Sequence, residues 1–186
     1  MIEFEDQYRL RNKVFAITAS EFSLPMTPEE QALVLPECTA PGLGRGCFRT
    51  YGLRNGDITL EAIHVMGIDE YPVLGGVKAS AYHEDFFLGA MRIYRPINET
   101  VPYTGSFFIG RKADPYLPLT GGKRPWYGYK EAYLLTFKCG ELIRARDFSD
   151  DMERIRWRVK SEWNNDNADK TQYIINWGLS RIDIRG

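Results

Sequence analysis

The chain has 186 residues, a formal net charge of −1, 44% hydrophobic residues and 13% aromatics. A chain of this length folds as one domain and buries about 70% of its unfolded-state surface, so it needs neither metal nor disulfide to fold. The composition excludes collagen, coiled coil and general disorder, and the near-zero charge gives no global pull toward nucleic acid or anionic lipid.

Residues 8–18 begin with alternation and end apolar, which predicts one strand. Thr27, Pro28 and Glu30 form a capping box that opens a short helix, closed by Leu35-Pro36. Residues 38–46 read as a glycine-rich loop. Two strands follow over 47–53 and 57–66, hinged at Asn55-Gly56, which tolerates positive φ at both turn positions. Period-two alternation puts Ile58, Leu60, Ala62 and His64 on one face and Thr59 and Glu61 on the other. Strands are expected at 77–82, 86–94 and 104–110. The stretch 113–128, rich in Pro and Gly, reads as a long loop. A second hairpin spans 130–138 and 142–146 through Cys139-Gly140, with Tyr133, Leu135 and Phe137 on one face.

Beyond residue 146 the period changes. Met152, Ile155, Val159 and Trp163 recur at helical spacing over 150–163, with Ser149 or Asp150 as the cap. A second helix over 168–177, closed by Gly178, and a last strand over 179–184 complete the expectation. The fold class is α+β: a mainly antiparallel sheet core of about seven or eight strands in hairpins, a short N-terminal helix and one or two C-terminal helices. One domain covers 1–186, with the β-rich core at 1–146 and a helical segment at 147–186.

Charges sit within Met1-Ile2-Glu3-Phe4-Glu5-Asp6, where a secretory signal would need apolar residues. Cys38, Cys47 and Cys139 are odd in number and lack a Cys-x-x-Cys spacing. Both facts point to reduced thiols in the cytoplasm, although a Cys38–Cys47 bridge across the loop is geometrically conceivable. Gly42-Leu43-Gly44-Arg45-Gly46 lacks the following Lys-Ser/Thr and leads into a strand, so a flexible loop is favoured over a phosphate cradle. His83, Glu84 and Asp85 gather three titratable groups. On a strand His83 and Asp85 share a face and are the candidate acid–base pair; in a hairpin turn the same triplet is simply polar. His64 with His83 lacks a third metal ligand, so no metal or cofactor is expected. No nucleophile elbow, zinc motif or phosphate loop is present, which leans away from an enzyme.

Two segments combine aromatics with cations, the usual composition of interface hot spots. Lys123, Arg124, Trp126 and Tyr127 lie in the long loop. Arg154, Trp157 and Arg158 lie on the outward face of the 150–163 helix, off the apolar stripe.

Cys47-Phe48-Arg49-Thr50-Tyr51 and Phe87-Leu88-Gly89-Ala90-Met91-Arg92-Ile93 resemble segments of small bacterial proteins of unassigned function, some of them immunity-type. The resemblance covers the middle third of the chain, implies an antiparallel β-rich core and carries over no catalytic residue. The resulting expectation is a non-catalytic protein that binds another protein or itself, in an immunity-like or regulatory role, with no membrane partner. The first alternative is a small-molecule-binding protein or enzyme with its site near His83 and the 113–128 loop. The second is a nucleic-acid-binding module.

Overall fold

The computed structural model describes residues 5–24, 47–65, 71–81, 91–117 and 124–163. The strand expected over 8–18 is a hairpin. Strand β1 (Gln7–Leu10) turns back into β2 (Lys13–Ser20) through Arg11 and Asn12, whose φ values are 49° and 62°. Two successive positive φ angles give the tight turn whose twist matches its flanking strands. The turn sets Tyr8 opposite Phe15, and both are buried.

The hairpin at Asn55-Gly56 forms as expected, from β3 (Cys47–Arg54) and β4 (Asp57–Val65). Three short strands follow: β5 (Ser80–Ala81), β6 (Arg92–Tyr94) and β7 (Glu99–Thr100). β5 and β6 lie within the strands expected at 77–82 and 86–94, of which residues 82 and 86–90 fall outside the described residues, and β7 was not expected. Three long strands then complete the sheet: β8 (Gly105–Ala113), β9 (Tyr129–Lys138) and β10 (Glu141–Asp147).

The strand order is β10-β9-β8-β2-β1-β3-β4-β6-β5, and β10 also pairs with β4. Seven strands therefore close into a ring. The closure is made by Ile58 N donating to Gly140 O at 2.8 Å and Leu142 N donating to Gly56 O at 2.9 Å, so the two tight turns interlock. The second edge of β4 is shared along its length by β10 at Asp57, β7 at Thr59 and Leu60, and β6 at 63–65. An exposed edge is a template for aggregation, and ring closure removes it. The sheet is mixed: β1 runs parallel to β3, with Gln7 opposite Thr50 and Tyr8 opposite Tyr51. The other pairings among the described strands are antiparallel, so the sheet is mainly antiparallel, as expected.

The ring is filled by aromatic and branched side chains, among them Tyr8, Phe15, Tyr51, Ile58, Leu60, Phe107, Ile109, Leu135 and Phe137. Phe107 stacks on Phe137 at 5.1 Å, and Tyr8 meets Phe107 edge-on at 5.6 Å. A β-bulge decides which half of β4 faces inward. Thr50 pairs with Ala62 but Tyr51 pairs with Leu60, so Glu61 is the extra residue. Beyond Glu61 the faces exchange: Ile63 and Val65 join the core, and His64 leaves the face of Ile58 and Leu60 on which simple alternation placed it. His64 is 4% exposed. Its ring stacks on Phe48 at 4.1 Å, and Nε2 lies 3.2 Å from Thr50 Oγ1.

A second, smaller core lies outside the ring. Helix α1 (Ser149–Trp163) packs Met152, Ile155 and Val159 onto Phe108, Ala132 and Leu134, with Phe148 at its start. The helix begins earlier than expected. Asp147 Oδ1 accepts from Ser149 N at 2.9 Å, and Ser149 Oγ accepts from Ala132 N at 3.1 Å, tying the first turn to β9. Asp150 and Asp151 sit in that turn, where carboxylates complement the helix dipole. On the same outer face Gly110 leaves room for the Tyr129 ring; a Cβ there would stand 2.4 Å from Tyr129 Cγ. The described residues contain this one α-helix. The N-terminal helix at 27–35, the second C-terminal helix at 168–177 and the strand at 179–184 lie outside them. No helix of the described residues is long and apolar enough to cross a membrane.

Candidate binding surface

The 113–128 stretch is not an open loop where it is described. Asp114 gathers both of its ends. Its backbone N donates to Gly128 O at 2.8 Å, and its backbone O accepts from Leu117 N at 3.4 Å and from Arg124 Nη1. Its Oδ1 accepts from Tyr116 N at 3.0 Å and its Oδ2 from Lys160 Nζ at 2.7 Å. The Asp side chain bonding two residues ahead is the Asx-turn mechanism, and it joins the loop to α1. Burial pushes the Asp114 carboxyl up. The Lys160 hydrogen bond, the Tyr116 amide and the charges of Lys160 and Arg156 outweigh this and hold it below the ordinary carboxylate value.

Arg156 is the second anchor. It is 7% exposed and donates through Nη1 to the carbonyls of Tyr127, at 3.1 Å, and Tyr129. Burial lowers its pKa, with Asp114 and Glu153 opposing the shift. A buried guanidinium needs every donor matched to an acceptor, so this contact fixes α1 against the 3-10 turn at Trp126–Gly128.

These anchors leave an open cleft of about 380 Å³ between α1 and the strand ends, lined by Asp114, Lys130, Asp150, Glu153, Trp157 and Lys160 among others. Trp157 forms one wall and is 72% exposed. Tyr116 is 85% exposed, and Lys160 Nζ sits 5.7 Å from its ring centre. Arg154 and Arg158 are exposed on the same helix. Arg154 approaches Asp151 at 3.9 Å, a surface pairing worth little in water.

The residues singled out in the sequence separate into two groups. Arg154, Trp157 and Arg158 stand together on the outward face of α1. Trp126 and Tyr127 do not reach outward in the same way. Tyr127 is buried, and Trp126 packs on Phe108 at 5.7 Å and edge-on against Tyr127 at 5.5 Å. Arg124 is half-buried against Gly128 and donates to Asp114 O. Lys123, His83 and Asp85 lie outside the described residues, as does Cys38. Asp114, Tyr116, Arg156 and Lys160 were missed by sequence reasoning. The one available signal was Asp114-Pro115 at the exit of a strand, a turn-initiating pair.

Among the described residues no group of three or more His, Cys, Asp and Glu side chains could hold a metal ion. Compared with known proteins, the chain matches no family model, and no curated protein or solved structure is significantly similar to it.

Proposed function

We propose that this chain is a binding protein that docks a second protein on the outer face of α1 and the adjoining Asp114 turn, in an immunity-like or regulatory role. The observation that carries this reading is Trp157, 72% exposed on a helix clamped from below by Arg156. An exposed Trp on a rigid support gives a large contact area with little side-chain entropy to lose, and Trp, Tyr and Arg dominate interface energetics. Tyr116, with Lys160 Nζ 5.7 Å from its ring centre, supplies an aromatic–cation pair on the adjoining turn. Exposed Arg154 and Lys130 stand beside exposed Asp150 and Glu153, which suits a partner surface of mixed charge with an apolar side chain able to cover the indole.

The test is quantitative capture. Wild-type protein is compared with Trp157→Ala and with the Arg154→Ala, Trp157→Ala double variant, using one partner protein identified by mass spectrometry. Truncating a central Trp is expected to weaken capture by 2 kcal/mol or more, roughly thirtyfold, with the melting temperature unchanged. Equal capture by all three proteins would refute the assignment.

A further inference from the structure

The inward-facing residue series on three neighbouring strands end in charges at one mouth of the ring. Lys13 precedes Phe15 by two residues on β2, Arg111 follows Ile109 by two on β8, and Glu131 precedes Tyr133 by two on β9. Lys13, Arg111 and its neighbour Lys112 all meet this one carboxylate. Glu131 lies 3.1 Å from Arg111 Nε, 2.5 Å from Lys112 Nζ and 4.0 Å from Lys13 Nζ. The arrangement takes a special backbone geometry. Consecutive strand residues point to opposite faces, yet Arg111 and Lys112 both reach Glu131. Lys112 does so from a φ of 58°, a left-handed conformation that lysine rarely adopts.

Three cations and one carboxylate leave two positive charges. Of the neighbouring charged groups, Arg9 is paired with Glu61 at 3.2 Å, and Asp147 accepts from Ser149 N and Oγ. Lys13 and Lys112 keep 53% and 57% of their side chains exposed, so their ammonium groups are open to a ligand. The Arg111 guanidinium is held 5.9 Å over the Phe15 ring. A planar fork with two point charges on the same carboxylate matches an oxyanion carrying several oxygens and more than one charge. We propose that this mouth of the ring is a binding site for a phosphate-type anion, with Lys13, Arg111 and Lys112 as its donors and Glu131 as a resident carboxylate that holds them together and competes for them.

Glu131 makes the proposal testable with opposite signs. Backbone amide shifts would be followed by NMR at low salt while inorganic pyrophosphate is added to about 10 mM, the range in which a weak site saturates. Saturable shifts clustered at residues 13, 111–112 and 131 are expected. Lys112→Gln and Lys13→Gln should each weaken the apparent affinity about tenfold, and Glu131→Gln should strengthen it by a similar factor, from the charge removed beside the anion. Glu131→Gln keeps size and an acceptor oxygen, and the two exposed lysine variants guard against its failing to fold. A nucleoside diphosphate titrated in parallel separates the sources. Equal affinity means that the phosphoryl group alone is recognised, whereas tighter binding means that the esterified part of the ligand is recognised as well. Absence of saturable shifts at the rim, or an affinity that both lysine variants leave unchanged, would overturn the proposal.

Discussion

Replacing Tyr8 by Phe should stabilise this protein. Tyr8 is fully buried in the ring, and its hydroxyl has no hydrogen-bond partner among the described residues. Its ring makes edge contacts with Phe107 at 5.6 Å and Phe137 at 6.4 Å, which Phe would keep. A buried polar group without a partner costs about 1–3 kcal/mol of desolvation, so the variant should gain about 1–2 kcal/mol. In urea the midpoint should rise at constant slope, and the melting temperature should rise by about 2–4 °C per kcal/mol for a domain of this size. Burial, and then the Glu61 charge, push the Tyr8 hydroxyl well above its ordinary pKa. Between the unfolded value of about 10 and the higher folded one only the unfolded chain ionises, so the wild type loses stability as pH rises above about 10. The advantage of the variant should therefore widen in alkaline solution. A lower urea midpoint for Tyr8→Phe at neutral pH would show that the hydroxyl has a partner and would refute the reasoning.

Three further outcomes follow from the outer layer. Trp126→Ala should cost about 2 kcal/mol in urea unfolding, less than a fully buried Trp because the indole is only partly buried. Gly110→Ala should destabilise by about 1–3 kcal/mol, because the new methyl meets the Tyr129 ring, and a melt within 1 °C of wild type would contradict that geometry. Asp114→Asn should lose about 1–3 kcal/mol at neutral pH. The folded-state pKa of Asp114 is lowered, so its contribution is present above the unfolded value of about 4 and lost as pH falls through the folded one. Wild type and variant should accordingly converge in stability in acid, as followed by circular dichroism.

What the sequence made legible was local. Asn55-Gly56 and Cys139-Gly140 marked their hairpins because each turn needs its special φ values at those positions, and the apolar stripe of α1 identified the helix and left Trp157 outside it. What stayed hidden was set by contacts between distant segments. The Arg11-Asn12 turn carries no glycine, so one strand was read where there are two. The bulge at Glu61 has no local signature, and it moved His64 to the other face. Ring closure rests on hydrogen bonds from Ile58 and Leu142 to the carbonyls of two turns, and no residue type records such a match. At the binding surface, Trp157, Arg154 and Arg158 were legible from helical phase. Tyr127 was not, because its burial depends on α1 lying over it, and Asp114 emerged only when both ends of the loop were seen to meet on it.

The central claim is that the outer face of α1 receives a protein partner. Site-specific photocrosslinking tests it most directly, with a benzophenone side chain placed in turn at Trp157, at Tyr116 and at the exposed Lys78 near β5. The account predicts that one and the same protein is crosslinked from 157 and from 116, and not from 78. Adducts that are absent at both helix-side positions, or that match those formed from 78, would contradict it.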